Sequence, residues 1–463
     1  MFRFELFNNF LHYRIIYFNL QLKINEVKNL RRERIDLSLE DMPRSWYNIL
    51  PDLPEPLPGY KDPKNEKEVR KLPNNYTETA SRLEFTDERW IKIPEEVFEA
   101  YIQLRRPRSL VRAHGLENFL KTPAKIYYKC EDLPPAGSFK MNGSMPQSYW
   151  AMKEGCRSVT LGGGFSSRTK WLHAFGAKMF GLTPTLFMPR GQFEKNKEEV
   201  FFLKQMLGVD LVESPSNRTE FGRNLLKENP NHLGSGKIAY MEIEEYAKNN
   251  NSPVLISSKL NHVLLAQTII GLEVEKQLEL VDEKPNILIA AVAGSSGFHG
   301  LISPFVREYL KKNLDDVKFL AVEAEKTAKL TYGEYKYVDL LLTPMDGLQA
   351  KTYELKTEPL PQIMANGLQS KDTAPITSLL RKSGIIDTIV YPSDEKGIYE
   401  AAQIFLQTEG YLIAPESAYS VKAAIDEARE AKKNGEQKVI VVLISATTFL
   451  DFGEKQKYTK FAN

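Results

Sequence analysis

The chain has 463 residues, of which 42% are hydrophobic and 26% are charged, as in ordinary globular proteins. Its 62 basic and 60 acidic residues nearly balance, so charge gives no indication of nucleic-acid or anionic-membrane binding. No run of eighteen apolar residues occurs, the six histidines are scattered, and Cys130 and Cys156 form neither a metal-ligand spacing nor a disulfide framework. We therefore expect no membrane span, no metal site and a cytoplasmic location.

Residues 1–41 are predicted to form an N-terminal extension. The first 25 of them are rich in aromatic side chains, but charged and polar residues interrupt the stretch, so we do not expect a signal peptide. Residues 28–75 are predicted to be an extended, turn-rich arm, because five prolines between Pro51 and Pro63 exclude a regular helix there. Four residues are expected to anchor this arm to the globular body: Trp46, Tyr47, Ile49 and Leu50.

From about residue 120, short β-branched runs alternate with longer amphipathic segments, which predicts an α/β fold with buried, mostly parallel sheets. Eight runs are predicted strands: AKIYYKC (124–130), RSVTLGG (157–163), PTLFMP (184–189), VDLVESP (209–215), NILIAAVAG (286–294), VKFLAVEAE (317–325), DTIVYPS (387–393) and KVIVVLIS (438–445). Three segments are predicted helices: EEVFFLKQMLG (198–208), FHGLISPFVREYLKK (298–312) and SVKAAIDEAREAKKNG (420–435). The two groups of four strands predict two domains, over residues 42–270 and 271–463.

A turn rich in glycine and serine connects the strand that ends near residue 292 to the helix after it. The turn consists of Gly294, Ser295, Ser296 and Gly297. Backbone N–H groups at a helix N-terminus bind anions, and glycine lets the backbone approach a phosphate closely. The spacing matches neither a P-loop nor a G-x-G-x-x-G motif. The turn therefore predicts an anion site or, equally, a plain strand-to-helix connection.

Two other glycine-containing loops carry candidate chemistry. AGSFKMNGS, residues 136–144, surrounds Lys140 with small polar residues. A lone loop lysine is usually a solvated cation, whereas a lysine desolvated beside a phosphate cofactor is suited to Schiff-base chemistry. The second loop follows a predicted strand and would be either a carboxylate-binding cradle or a flexible connection. It consists of Gly162, Gly163 and Gly164.

Near the C terminus, polar side chains stand beside the ends of a predicted helix and a predicted strand. Glu416 and Ser417 come just before a helix and are predicted to cap it. Ser445, Thr447 and Thr448 follow a buried strand, at the sheet edge where ligands bind in open α/β folds.

Taken in chain order, these stretches resemble the tryptophan synthase β-chain family, in the class with an extended N terminus, among the fold-type II pyridoxal-phosphate enzymes. The resemblance runs from about residue 42 to the C terminus. Six motifs carry it: PRSWYNILPDLPEPLP, GSFKMNGS, SPSNRTEFGR, LNHVLLAQTIIGLE, VAGSSGFHG and APESAYS. It implies two three-layer α/β/α domains, interleaved in sequence, with the cofactor between them. The N-terminal domain would carry the Schiff-base lysine and the C-terminal domain the phosphate turn.

The resemblance also implies roles for matching residues. Lys140 would form the Schiff base with pyridoxal 5′-phosphate and move the α-proton of the substrate. Asn142 would contact the ring hydroxyl of the cofactor, Ser445 would contact its pyridine nitrogen, and Glu416 would lie near the ring. The phosphate would be held by Gly294, Ser295, Ser296 and Gly297, and the substrate carboxylate by Gly162, Gly163 and Gly164.

The family reaction is a β-replacement, in which serine and indole give L-tryptophan. The implied partners are the amino acid, indole, an α chain that supplies indole, and a second copy of this chain in a homodimer. The chain departs from the family pattern in five places. The family's glycine-rich phosphate turn is here Ala293, Gly294, Ser295, Ser296 and Gly297, its G-x-G after the serine is Ala446, Thr447 and Thr448, and its histidine after the E-S/T-x pair is Tyr419. Phe139 stands where the family has histidine, and no Asp or Glu occurs between Glu154 and Glu194, where the family carries a catalytic glutamate.

Three interpretations therefore stay open at the level of sequence. The chain is a lyase of the tryptophan synthase type that uses serine or O-phosphoserine, and Arg168 and Lys170 would receive the phosphate of the latter. Alternatively, it is a regulatory homologue without turnover. The third interpretation is another fold-type II activity, such as that of a threonine synthase or a serine dehydratase.

Overall fold

The computed structural model describes residues 33–135, 137–162, 167–340, 347–356, 362–392 and 394–447. Its strands, numbered along the chain, are β1 (Glu33–Ile35), β2 (Ser45–Tyr47), β3 (Tyr60–Lys61), β4 (Glu68–Val69), β5 (Trp90–Lys92), β6 (Leu110–Arg112), β7 (Lys125–Cys130), β8 (Ser158–Leu161), β9 (Thr183–Pro189), β10 (Asp210–Ser214), β11 (Val254–Leu255), β12 (Ile287–Ala291), β13 (Lys318–Ala324), β14 (Glu334–Asp339), β15 (Gln349–Glu354), β16 (Ile386–Tyr391) and β17 (Val439–Ile444).

The helices are α1 (Glu78–Glu84), α2 (Glu95–Gln103), α3 (His114–Leu120), α4 (Met141–Lys153), α5 (Ser167–Met179), α6 (Arg190–Lys195), α7 (Lys197–Phe201), α8 (Glu220–Glu228), α9 (Gly236–Asn249), α10 (Asn261–Gln267), α11 (Ile269–Glu279), α12 (Ser296–Leu310), α13 (Lys329–Tyr332), α14 (Pro375–Lys382), α15 (Lys396–Glu409) and α16 (Pro415–Asn434). A π-helical turn over Phe202–Met206 continues α7. No helix in these described ranges combines the length and apolar character needed to cross a membrane.

The larger sheet has seven strands in the order β1-β6-β7-β17-β12-β13-β16. The five strands from β7 to β16 are parallel, and β6 and β1 add an antiparallel edge. Every residue of β17, VIVVLI, is buried, as expected for a parallel strand covered on both faces. β7 pairs with β17 from Lys125 opposite Val439 to Cys130 opposite Ile444, so two distant parts of the chain end side by side.

The second sheet is parallel throughout, in the order β10-β9-β8-β11. An antiparallel sheet, β14-β15-β3-β4, and the pair β2-β5 complete the strand pairing of the described residues. The predicted division at residue 270 stays a prediction. β6 and β7 precede that residue and yet lie in the larger sheet, so the chain passes between the sheets more than once.

The α/β fold is confirmed, and each of the eight predicted strands and three predicted helices coincides with a strand or helix. The predicted anchoring of the arm is confirmed as well. Trp46, Tyr47 and Ile49 are buried, and Leu50 packs against the same core. Trp46 meets Trp150 of α4 edge to face, with ring centroids 6.4 Å apart. The strands that the sequence did not predict are mostly two or three residues long, too short to show a periodic pattern.

Candidate active site

Lys140 stands immediately before α4, at the end of a loop that the main chain fixes in place. The Phe139 N–H donates to the Ser445 carbonyl at 3.2 Å, and the Thr447 N–H donates to the Gly137 carbonyl at 2.9 Å. These bonds form an isolated antiparallel bridge between Ser138 and Ala446, outside the parallel pairing of β7 with β17. As a result, the lysine loop and the residues after β17 lie against each other.

The Lys140 amine is half-buried and donates to a hydroxyl on the neighbouring helix. Its Nζ lies 2.7 Å from Oγ1 of Thr169, in the first turn of α5. One helical turn further on, His173 Nδ1 lies 3.3 Å from Ser144 Oγ. Burial, helped by the charge of Lys140, lowers the pKa of His173 to about 3, so this imidazole is neutral at physiological pH. Lys140 therefore has a fixed neutral partner, Thr169, and an uncharged histidine close by.

A cavity of about 90 Å³ opens beside Lys140 at the carboxyl ends of the central strands. Seven of the predicted site residues line it: Lys140, Gly294, Ser295, Ser296, Gly297, Glu416 and Ser445. Residues that the sequence did not indicate also line it, among them Ser138, Ser257, Ser258 and Gly367. Ser257 and Ser258 follow the parallel strand β11, and that position is the signal that could have identified them.

The glycine-serine turn connects β12 to α12 as predicted. Ser295 is the N-cap residue with φ of +65°, and its side chain makes no capping bond to the helix. The Ser295 hydroxyl lies 2.8 Å from that of Thr377, and the Ser296 hydroxyl donates to the Ser257 carbonyl at 3.0 Å. Because these hydroxyls bond to the protein itself, the backbone N–H groups that open α12 are the donors available to an anion.

The glycines of this turn create the space at the site. A Cβ on Gly294 would lie 2.4 Å from Ser258 Oγ, and a Cβ on Gly297 would lie 3.1 Å from the Phe139 ring. Across the cavity, a Cβ on Gly367 would lie 2.5 Å from the Glu416 carboxylate. Side chains at these positions would fill the cradle between the turn and the Lys140 loop.

The predicted capping roles of Glu416 and Ser417 are wrong. α16 begins at Pro415 after the N-cap residue Ala414, and no side chain caps it. Both predicted residues lie inside the first turn and point toward the site. Glu416 Oε1 accepts the Gly367 N–H at 2.7 Å, and Ser417 Oγ accepts the Ser445 N–H at 3.0 Å. The hydroxyls of Ser417 and Ser445 are 3.1 Å apart, so Ser417 orients Ser445 at the cavity wall.

Asn142 lies behind the cavity, in a buried polar network. Its Oδ1 accepts from Arg106 Nε at 3.1 Å, and its Nδ2 donates to Gln267 at 3.1 Å and to Glu131 at 3.3 Å. Arg106 also bonds Glu273 at 2.8 Å. Burial opposes ionisation of Glu273, but Arg106 and Lys129 outweigh it and hold the pKa of this carboxyl below its ordinary value. Asn142 would have to release one of these bonds to donate to a cofactor.

The predicted carboxylate cradle is only partly visible. The Gly162 N–H donates to the Leu255 carbonyl at 2.9 Å, and a Cβ there would lie 2.5 Å from Val254, so this glycine lets β11 pack closely. Gly163, Gly164, Thr448 and the side chain of Arg168 lie outside the described residues. Lys170 does not line the cavity. Its ammonium is buried and forms an ion pair with Glu199, with 3.0 Å between Nζ and a carboxylate oxygen. The prediction that Lys170 would receive a substrate phosphate is therefore wrong.

Comparison with known proteins shows the family to which the chain belongs. A family model described as pyridoxal-phosphate dependent enzyme matches residues 102–446. Tryptophan synthase beta chain 2 of Methanothermobacter thermautotrophicus is 40% identical over 423 residues, 90% of this chain and 96% of that protein. The chain belongs to the tryptophan synthase β-chain family. Tryptophan synthase beta chain 1 of Sulfurisphaera tokodaii is 41% identical over 418 residues, and the alignment covers 89% of this chain and 96% of that protein.

Solved structures agree at the level of the fold. Threonine deaminase isoform 2 from Solanum lycopersicum, in its processed form, superposes with a TM-score of 0.55 at 17% identity, covering 80% of this chain and 94% of that one. A likeness at that identity concerns the architecture alone. The predicted family resemblance and the fold-type II architecture are thus confirmed, and like its family the chain depends on pyridoxal phosphate.

The residues present fit that cofactor. As a member of the tryptophan synthase β-chain family, the chain needs a primary amine, an anion-binding turn and a polar group for the ring. The cavity holds the Lys140 amine, the open N-terminus of α12 with its side-chain-free glycines, and the Ser445 hydroxyl. The sequence did not indicate Thr169 and indicated Ser417 only as a helix cap, because each contacts a partner distant in the chain.

Proposed function

We propose that this chain catalyses the pyridoxal-phosphate-dependent β-replacement of serine, or O-phosphoserine, with indole to give L-tryptophan. Relatives of nearly the same length, about 40% identical, are named tryptophan synthase beta chains, which supports this reaction over those of threonine synthase and serine dehydratase. The observation that carries the proposal is the meeting of Lys140, the α12 turn and Ser445 in one cavity. We further propose a homodimer in the cytoplasm that receives indole from an α chain.

Each group that lines the cavity has a separate role in the proposed reaction. When bound, pyridoxal phosphate withdraws electrons from the α-carbon, which makes loss of the α-proton and then of the β-substituent feasible. Lys140 would bind the cofactor covalently and would take the α-proton at Nζ. The N–H groups that open α12 would bind the phosphate, and the Ser445 hydroxyl, a neutral partner, would donate to the unprotonated ring nitrogen.

The departing hydroxyl of serine needs a proton. Among the described residues that line the cavity, Glu416 is the one carboxylate, and it accepts from the Gly367 N–H. We therefore assign the acid role to Lys140, which would pass at Nζ to the departing hydroxyl the proton that it took from the α-carbon. The proton that indole loses when it adds would then return through Nζ to the α-carbon, so that serine and indole give tryptophan and water. O-phosphoserine carries a better leaving group and needs this acid less.

The test is a product assay with the purified full-length chain and added pyridoxal phosphate. Visible spectra are recorded before and after serine or O-phosphoserine, and products with indole are identified by mass spectrometry. Tryptophan from the chain, and none from Lys140→Met, supports the proposal. Pyruvate alone would indicate a dehydratase, and threonine from O-phosphohomoserine would indicate a threonine synthase. An unchanging spectrum with every substrate would indicate a regulatory homologue.

A further inference from the structure

A buried lysine holds the end of β12 from behind the phosphate turn. Lys329, the first residue of α13, is fully buried, and its Nζ donates to the Val292 carbonyl at 2.6 Å. Val292 lies two residues before Gly294, where the turn begins. Glu323 of β13 lies 3.8 Å from the same Nζ, and its carboxylate accepts the Leu330 N–H at 3.0 Å. Glu323 thus fixes the start of α13 and, with it, the lysine.

A second buried lysine packs against the turn. Lys259 adopts a φ of +77°, and its Cγ would lie 3.2 Å from a Cβ on Gly294. Its ammonium forms an ion pair with the fully buried Asp372. The loop that carries Lys259 also accepts the Ser296 hydroxyl through the Ser257 carbonyl. Two buried lysines therefore contact the turn or the residue before it, and neither lines the cavity itself.

The charges in this cluster balance before any anion binds. Lys259 and Lys329 face Glu323 and Asp372, and these are the ionisable groups that act on Lys329. Burial lowers the pKa of Lys329 to about 8, although Glu323 and Asp372 favour its charged form. A phosphate dianion at the turn would add negative charge to that of the two carboxylates. It would therefore favour the protonated form of Lys329.

We propose that Lys329 is a positioning residue of the phosphate turn, and that anion binding at this turn is coupled to protonation of its amine. The inference rests on the proposed function, because it takes the α12 turn as the phosphate site. Protonated Lys329 orients the Val292 carbonyl and adds a positive charge behind the turn. The neutral amine still donates a hydrogen bond but lacks that charge.

The direction of the pH effect follows from linkage. A ligand that raises the pKa of a group is bound with uptake of a proton, so its affinity falls as pH rises through the pKa of the free protein. Phosphate binding should therefore weaken above about pH 8. We expect the affinity for phosphate to fall roughly tenfold between about pH 7 and about pH 10. A loss of this size corresponds to the attraction between the phosphate and one buried charge through an intermediate dielectric.

The experiment measures the dissociation constant of pyridoxine 5′-phosphate for the full-length chain, freed of cofactor, by calorimetry across this pH range. This ligand has no aldehyde and cannot bond covalently to Lys140, and its phosphate keeps its charge above about pH 7. Lys329→Arg stays charged throughout, and Lys329→Met is never charged. Lys318→Met is the matched control, because Lys318 lies on β13 and pairs at the surface with Glu427.

The proposal expects roughly tenfold weaker binding at the high end of the range for the parent chain and for Lys318→Met. It expects a flat, tight profile for Lys329→Arg and a flat, weak profile for Lys329→Met. Because the same ligand is used throughout, titration of its ring cancels between variants. Parallel profiles for the parent chain and Lys329→Arg would overturn the proposal even if Lys329→Met does not fold. Absence of binding at any pH would overturn both this inference and the assignment of the phosphate site.

Discussion

The Nζ atom of Lys140 lies 2.7 Å from Oγ1 of Thr169, which links the first turns of α4 and α5. We expect Thr169→Val to slow the reaction of Lys140 with the aldehyde of pyridoxal phosphate roughly ten- to hundredfold, because a hydrogen bond to an amine that can carry charge is lost. Thr169→Ser keeps the hydroxyl and should react at nearly the parent rate. The measurement is the growth of the visible Schiff-base band, followed by borohydride reduction and peptide mapping.

The same pair of variants separates positioning from folding. The affinity for pyridoxine 5′-phosphate, which does not react with the amine, should be unchanged in Thr169→Val. A parallel loss of that affinity would mean that the substitution disturbs the whole site. Equal rates for the valine and serine variants would show that the hydroxyl is not needed.

Gly294 and Ser258 offer a test of the cradle by paired substitution. A Cβ on Gly294 would lie 2.4 Å from Ser258 Oγ and 2.6 Å from Ser258 Cβ. We expect Gly294→Ala to push the 257–259 loop away from the turn and to weaken phosphate binding at least about tenfold, because overpacking of this kind costs 1–3 kcal/mol. Ser258→Gly removes both obstructing atoms. The double variant should recover most of the affinity, and its failure to do so would contradict this account of the turn.

Asp132 should make stability depend on pH near neutrality. It is buried just after β7 and accepts from the Tyr411 hydroxyl at 2.9 Å. Burial raises its pKa to about 7, above the value of about 3.9 expected in the unfolded chain. The folded chain therefore holds more protons between these values, and this carboxyl lowers stability as pH rises toward about 7.

We expect Asp132→Asn to remove about 2–3 kcal/mol of the difference in unfolding free energy between about pH 5 and about pH 8. Urea unfolding at the two pH values measures that difference. Asp87→Asn, at an exposed position, is the matched control and should behave as the parent chain does. An unchanged difference in Asp132→Asn would show that the carboxyl ionises normally in the folded chain.

The sequence predicted the parts of this protein that depend on local pattern. The sequence indicates β12 and β17 as buried strands because apolar residues fill them, and the turn between β12 and α12 follows from its glycines and serines. Placement across the chain could not be predicted in the same way. Glu416 and Ser417 sit where capping residues often occur, yet their side chains bond Gly367 and Ser445, which only the packed structure brings near. Nothing local marks Thr169 as the partner of Lys140, since 28 residues separate them and a strand lies between.

The pairing of β7 with β17 has a consequence for biogenesis. The loop before Lys140 is held by main-chain bonds to Ser445 and Thr447, some three hundred positions further along the polypeptide. A nascent chain cannot form this arrangement until β17 and the residues up to Thr447 have been synthesised. We therefore expect the cofactor to load only after that point. A chain truncated before β17 would lack these main-chain partners of the loop before Lys140.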